Sequence, residues 1–331
     1  VLIAIGTMKI LLIPISDEIA SDRTVQSDAR VRVYAPSKST SNVAVCLIVK
    51  NETLYIDEWL DYHIALGFSP IYIYDNSPDF ELKTAPRSGI WTWHESRRDE
   101  IGEHVVLIHF PVVPVQKAAY DRCVKEDAAN STFVALIDVD EFLVLKTFDN
   151  VVDFMDRHCD DECGQLSINW FMMSMGNETR YSPVPITRRN VHGIEYGTIK
   201  VILRPGYVAD DLAWWHSVAL RRGYMVDTNG KRRVNNGAGG FRERQANDGG
   251  PFDVAALHHY AFKSREEFRY KQCVRGTSLH ASGETPFCNK QYYWMEHEQT
   301  HFDDSAWRQL VRMVPKYRIY DDVSATSNTT V

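Results

Sequence analysis

Apolar residues in this chain come in short runs separated by polar clusters. Val43–Val49 reads Val-Ala-Val-Cys-Leu-Ile-Val, the pattern of a strand buried on both faces. A polar loop, Lys50-Asn51-Glu52-Thr53, follows it. From Tyr55 to Leu66, Ile56, Trp59, Leu60, His63 and Ile64 then recur at helical spacing. Gly67 is placed to end that helix. Ile71–Tyr74 makes a second strand, stopping at the turn cluster Asp75-Asn76-Ser77-Pro78. Strand, helix and strand with short connections predict a βαβ unit with parallel strands.

The alternation continues with a strand over Val105–Phe110, a helix over Gln116–Ala129 and a strand over Phe133–Ile137. The predicted fold class is α/β, a mixed sheet flanked by helices and mostly parallel in its N-terminal half. Beyond residue 150 the pattern is less regular. Strands are predicted over Gln165–Met173, Lys200–Arg204, Trp214–Leu220 and Ala255–Phe262. Asn235–Gly250, rich in Gly, Asn and Arg, reads as a mobile loop. Ser264 with Glu267 three residues on marks a capping box. The helix it opens runs to about Arg275 and stops at Gly276. No internal repeat is visible.

At the N-terminus, Val1–Ile15 is apolar apart from Thr7 and Lys9 and is too short to span a bilayer. It reads as the remnant of a membrane anchor or signal, or as a buried strand. With Val at position 1, the natural start is expected upstream or at Met8. Asp17–Asn42 is polar and reads as a linker.

Composition narrows the class. The chain has 331 residues, 44% hydrophobic and 24% charged, ordinary for a globular protein with a substantial core. A net charge of −7 argues against a nucleic-acid partner, which calls for a basic footprint. Six cysteines leave the compartment open. Cys46 sits in an apolar run and reads as a small hydrophobe. Cys159 and Cys163 are close enough to pair if the backbone permits. With no Cys-x-x-Cys pair, a structural zinc site is not expected. Sequons begin at Asn51, Asn130, Asn177 and Asn328 and matter only in a secreted protein. At Asn51 a glycan would obstruct the loop after the first strand.

The densest chemistry is Asp138-Val139-Asp140-Glu141, directly after the apolar run Phe133–Ile137. Two carboxylates at the carboxyl end of a buried strand can hold a hard divalent cation. The plainer alternative is a solvated turn. Lys50, Asn51 and Glu52 follow the first strand, where doubly wound folds bind nucleotides, but no Gly-rich fingerprint supports a dinucleotide. Asp75 ends the second strand, as a turn residue or an acceptor for a ribose or base. His258-His259-Tyr260 ends another apolar run and precedes Lys263, Arg265, Arg269, Lys271 and Arg275. An imidazole beside a cationic helix suits a metal and a diphosphate, or simply a core histidine before a surface helix. Trp170–Gly176 and Trp214-Trp215-His216 fit a sugar-binding cleft or plain core. No G-x-S-x-G elbow supports hydrolase chemistry.

In order and spacing, these segments resemble the GT-A glycosyltransferases, most closely the glycosyltransferase family 92 group and its family-2-like relatives. The resemblance rests on residues 45–52 (Val-Cys-Leu-Ile-Val-Lys-Asn-Glu), Glu58–Leu60, Asp61–His63, Gly67 and Tyr72–Ser77. It continues through Asp138–Phe142, Trp170-Phe171, Gly176, Lys200 and Arg204-Pro205. It ends with His259-Tyr260, Lys263-Ser264, Glu266–Phe268, Lys271 and Arg275-Gly276. It implies a 43–277 domain with a nucleotide-binding half (43–150) and an acceptor half (151–277). Residues 1–42 are then an extension and 278–331 a C-terminal tail, a closing helix or a lid. Nothing in Arg221–Phe252 matches.

The resemblance also implies a nucleotide-sugar donor, usually UDP-linked, a glycan acceptor and Mn²⁺ or Mg²⁺. It makes Asp138 and Asp140 the Asp-x-Asp pair and His259 a third metal ligand. It puts Lys50, Asn51, Glu52 and Asp75 around the nucleoside, and Lys263 and Arg275 toward the diphosphate. Inversion is favoured, and it needs a base for the acceptor hydroxyl. Glu178, Asp210, Asp211 and Asp227 are the candidates. The alternatives are a non-catalytic sugar- or nucleotide-binding module of the same fold, and a nucleotidyltransferase. Either the Golgi and secretory lumen or the cytoplasm fits, with membrane association only through an N-terminal anchor.

Overall fold

In the computed structural model, residues 39–88, 91–112, 115–210, 212, 215–233, 250–277, 288 and 301–321 are described, and all lie within one unit, Val31–Val331. Val1–Ile15 and nearly all of Asn235–Gly250 fall outside these residues.

The N-terminal expectation holds closely. Val43–Val49 forms β1, Ile56–Ala65 forms α1 and Ile71–Asp75 forms β2, with β1 and β2 parallel. Side chains of β1 alternate between two cores. Val43, Val45, Leu47 and Val49 enter one, Ala44 and Cys46 the other. Successive strand residues point to opposite faces, so a strand covered on both sides must be apolar throughout.

Helix α1 is buried almost all round, though it carries Glu58 and Asp61. Ile56, Trp59, Leu60 and Ile64 bury apolar surface worth about 1.5–3 kcal/mol each. The two carboxylates are satisfied by distant chain. Glu58 accepts from the backbone N–H of Ile186 (2.8 Å) and Thr187 (3.0 Å), at the start of a short helix α6 (Ile186–Arg189). Asp61 accepts from Arg97 (2.5 Å) in α3 (Trp93–Ile101), from Lys316 (2.7 Å) and from the Tyr317 hydroxyl (2.8 Å).

Short elements complete this half: α2 (Glu81–Thr84), the hairpin β3 (Pro86–Ser88) and β4 (Trp91–Thr92), β5 (Val105–His109), and α4 (Gln116–Arg122), which widens into a π-helical turn over Cys123–Asp127. Next come β6 (Phe133–Leu136), β7 (Glu141–Leu145), α5 (Val151–His158), β8 (Cys163–Met173) and β9 (His192–Leu203). The chain continues with β10 (Tyr224–Asp227), β11 (Arg232–Arg233), β12 (Ala255–His259), α7 (Arg265–Tyr270), β13 (His301–Phe302) and α8 (Ser305–Met313).

The main sheet runs β11-β10-β8-β9-β6-β1-β2-β5. From β6 to β5 every pair is parallel. Antiparallel pairing enters with β9, which lies between β6 and β8. The last residues of β8 pair in parallel with β12, which pairs antiparallel with β7. The fold is therefore the expected mixed α/β sheet, parallel through its N-terminal half. Helices α1, α5 and α8 cover one face. Helix α4, its π turn and Leu212, Trp215 and Val218 cover the other. Among the described residues no helix is long and apolar enough to cross a membrane.

Three expectations are corrected. Cys46 is not a free hydrophobe, because it is bonded to Cys123 and ties β1 to the π turn. Cys159 pairs with Cys163, and Cys273 with Cys288. Trp214–Leu220 is not a strand in its described part, which makes only the isolated bridge Val208–Leu220. Val218 finds its partner in a side chain instead: the buried Gln165 amide donates to its carbonyl (3.0 Å) and accepts from its N–H (3.1 Å). Finally, β12 stops at His259, short of Phe262. The chain turns through Lys263, whose φ of +54° is rare for a side chain of this kind.

In the tail, Gln309 of α8 donates to the Tyr62 hydroxyl (2.7 Å) and to Leu143 O (3.1 Å), and accepts from Leu145 N–H (3.2 Å). It thereby satisfies the edge of β7 that faces away from β12.

Candidate active site

The turn Asp138–Glu141 leaves the carboxyl end of β6 and crosses to β7. Two helices pin it. The Trp59 indole of α1 donates to Asp138 O (3.0 Å) and Glu141 O (2.8 Å). The Tyr120 hydroxyl of α4 donates to Asp138 Oδ1 (3.0 Å). On the other side, Tyr260 N–H donates to Asp140 O (2.7 Å), extending the β7–β12 ladder in which His259 faces Glu141. Residues more than a hundred positions apart thus meet at one end of the sheet.

Asp140 is buried. Its Oδ1 lies 3.6 Å from His259 Nε2 and its Oδ2 lies 2.8 Å from Lys271 Nζ. Burial alone would raise its pKa, but Lys271 and His259 outweigh it and hold the carboxyl well below the usual range. Asp138 Oδ2 takes Lys200 Nζ at 2.8 Å, and the same ammonium lies 3.4 Å from Glu141 Oε2. Lys200, toward the carboxyl end of β9, is wholly buried. Burial and the neighbouring Asp138 leave Glu141 the weaker partner despite Lys200, its pKa pushed up to about 7.

A second charged group adjoins the first. Glu52 is buried between Lys263 Nζ (2.9 Å) and Arg275 Nη1 (2.5 Å). Arg275 also donates to Lys50 O (2.8 Å). The Lys263 ammonium rests over the Tyr55 ring, 3.5 Å from its centre. Burial would raise the pKa of Glu52, but Lys263, Arg275 and Lys271 bring it below the ordinary value. Asn51, at φ +51°, donates its N–H to the Ser77 hydroxyl (3.1 Å). Asp75 is fully buried, and its oxygens accept from Ser77 N–H (2.9 Å) and Leu82 N–H (3.0 Å). Both of its oxygens therefore shape the loop after β2.

Aromatic rings border this charged centre. Trp170 lies 4.3 Å from the His259 ring, 5.3 Å from His216 and stacked at 6.4 Å on the half-exposed Tyr196. Among the described residues the buried Trp170 indole N–H has no hydrogen-bond partner. Beyond Trp170 the run is mostly core, since Met172 and Met175 pack with Phe262 and Met173 joins the main core. Trp215 is core on the α4 face.

The candidate bases scatter. Asp227 is buried and committed to its own turn, accepting from Asn229 N–H, Lys231 N–H and Arg233. Asp210 is exposed, with its carbonyl on Lys125 of the π turn. Asp211 lies outside the described residues. Glu178 is partly exposed, 3.9 Å from Arg189, and its carbonyl accepts from Arg265 N–H (3.0 Å) at the start of α7.

Sequence reasoning gave no role to Lys200 or Tyr120, and took Lys271 only as one of the cations after His259. Lys200 carried a signal: a lysine inside Ile199–Leu203, an otherwise apolar run, needs a buried counter-charge. Tyr120 carried none, because a helical tyrosine is ordinary.

No family model matches the chain. Individual proteins do. The chain is similar to glycosyltransferase family 92 proteins. One from Ricinus communis is 29% identical over 111 residues, 34% of this chain and 18% of that protein. One from Arabidopsis thaliana is 27% identical over 128 residues, 38% and 20% respectively. The chain thus matches about a fifth of those relatives' length. Among solved structures, S. aureus TarS 1–349 in complex with UDP has a TM-score of 0.31 at 14% identity, over 56% of this chain and 60% of that one. Glucosyl-3-phosphoglycerate synthase from Mycobacterium tuberculosis, with Mn²⁺, UDP and phosphoglyceric acid, has a TM-score of 0.30 at 15% identity, over 60% and 72%. The family 92 proteins are the group that the sequence motifs resemble.

Proposed function

We propose that this protein is a glycosyltransferase moving a sugar from a nucleotide-linked donor, UDP-linked by family resemblance, to a glycan hydroxyl with inversion. The observation that carries this reading is the meeting of Asp140 and His259 at 3.6 Å at the carboxyl end of the sheet's parallel half, beside the Glu52–Lys263–Arg275 cluster.

The residues present fit a divalent cation only in part, and in an informative way. Among the described residues no group of three His, Cys, Asp or Glu side chains converges as a metal cage. Asp140 and His259 form a two-point site, and hard cations that bind with substrate phosphates use few protein ligands. Both Asp138 oxygens are engaged, by Tyr120 and Lys200, which suits a supporting role. When bound, Mn²⁺ or Mg²⁺ would neutralise charge growing on the leaving diphosphate.

The chain's own residues supply the rest. Glu52 fixes Lys263 and Arg275, so that two cations stand ready beside the loop Lys50–Glu52. Trp170 offers an aromatic face and an N–H that no described residue accepts, a combination suited to a sugar ring. Glu178 is the base candidate that the geometry favours, because it is partly exposed and joined to the start of α7.

All six cysteines are paired. That supports an oxidising compartment such as the secretory lumen.

The test is UDP release from a panel of UDP-sugars with Mn²⁺. Release should fall about 100-fold or more in Asp140→Ala and in chelator, and return with Mn²⁺. Release indifferent to both would overturn the reading. Donor binding without turnover would indicate the binding module, and pyrophosphate from a nucleoside triphosphate plus a sugar phosphate would indicate the nucleotidyltransferase.

A further inference from the structure

Four cations meet carboxylates in this centre, and they are not equivalent. Lys200 is wholly buried between Asp138 and Glu141. The side chains of Lys263 and Arg275 are 8% and 10% exposed and both are held by Glu52. Lys271 differs in two respects. Its side chain is 25% exposed, and the carboxylate it holds is Asp140, the one that faces His259. Its ammonium therefore engages the oxygen beside the one a divalent ion would share with the imidazole.

Two cations so close on one buried carboxylate repel by several kcal/mol at an effective dielectric constant of about 20. Lysine can yield, because its charge sits on a flexible four-carbon stem. Displaced from Asp140, it stays among the groups that flank the Glu52 cluster, where a donor's diphosphate would lie.

We propose that Lys271 is a resident counter-ion that holds Asp140 until a divalent cation takes its place, and that the released ammonium then pairs with the diphosphate of the nucleotide. This rests on the glycosyltransferase reading of the site. It makes Lys271 the residue that couples metal binding to donor binding. In the ligand-free protein the ammonium keeps Asp140 compensated. With the metal and nucleotide present it changes partner and strengthens the grip on the nucleotide.

The two halves have opposite signs in one variant, which makes the test sharp. Mn²⁺ binding to the full chain without nucleotide is measured by calorimetry and by the electron-spin resonance of free Mn²⁺, for wild type, Lys271→Met, Lys271→Arg and Asp140→Asn. UDP binding is then measured at saturating Mn²⁺. Lys271→Met is expected to bind Mn²⁺ about tenfold tighter and UDP about tenfold weaker. Lys271→Arg should stay within about threefold of wild type for Mn²⁺, since the competing charge remains. If Lys271→Met binds Mn²⁺ no tighter than a wild type that does bind it, the counter-ion role is overturned and the metal site stands. Tighter Mn²⁺ with unchanged UDP binding overturns the diphosphate half. If neither wild type nor Lys271→Met binds Mn²⁺, or if Asp140→Asn binds it like wild type, the Asp140–His259 site itself is wrong and the proposal falls with it.

Discussion

Lys200→Met tests how the acidic turn is held together. The lysine is wholly buried, with Nζ 2.8 Å from Asp138 Oδ2 and 3.4 Å from Glu141 Oε2. Methionine keeps the volume and removes the charge. Breaking a buried ion pair from one side costs about 3–5 kcal/mol, because the partner is left buried and unpaired. The two carboxylates share that cost unequally. Glu141, already pushed up to about 7 by burial, can take a proton. Asp138 keeps the Tyr120 hydroxyl and a side chain 30% exposed. The expected loss is therefore near the lower bound, about 3 kcal/mol. Urea unfolding at pH 7 reads it as a lower midpoint. Lys200→Met combined with Asp138→Asn should cost less than the sum of the two single variants by about 1–3 kcal/mol, since they share one interaction. A loss under about 1 kcal/mol for Lys200→Met, or strict additivity, would refute the ion-pair account.

Other outcomes follow from separate parts of the structure. His63 is buried against Trp59, Phe68 and Phe142, and burial depresses its pKa to about 3. A folded-state pKa below the unfolded one gives stability that is full above about 6.5 and lost as pH falls toward 3. Between pH 8 and pH 5 the loss is about 2 kcal/mol, and a pH series of urea titrations should show it disappear in His63→Gln. The Cys46–Cys123 bond closes a loop with a sequence separation of 77. Cys46→Ala with Cys123→Ala should lower unfolding free energy by about 4 kcal/mol, and an unchanged midpoint would mean that the bond does not form. Asp61→Ala removes the shared partner of Arg97, Lys316 and Tyr317. It should cost about 3–5 kcal/mol and expose residues 305–321 to limited proteolysis ahead of the rest.

The N-terminal half was legible because its signals are local. β1, α1 and β2 follow from periodicity and one glycine, and their parallel order follows from connection length. The second half was legible only in pieces. Gln165 satisfies the Val218 backbone across the fold, so a run with strand-like composition never joins the sheet. β9 extends to His192 through polar and glycine positions because β8 offers a full-length partner. The disulfide of Cys46 was hidden for the same reason: its partner lies 77 residues away on a helix turn.

The candidate site divides along the same line. Sequence alone determined which carboxylates stand at a strand end, because a buried apolar run must stop where charge begins. It also marked His259 and the cationic segment after it as chemistry-bearing. Only the tertiary structure decided how those charges pair. Lys200 goes to Asp138 and Glu141, Lys263 and Arg275 go to Glu52, and Lys271 goes to Asp140 beside His259. Periodicity reports which face a residue takes, whereas charge pairing depends on distances of a few ångströms between elements far apart in the chain. Those distances are set by the order in which the strands lie in the sheet.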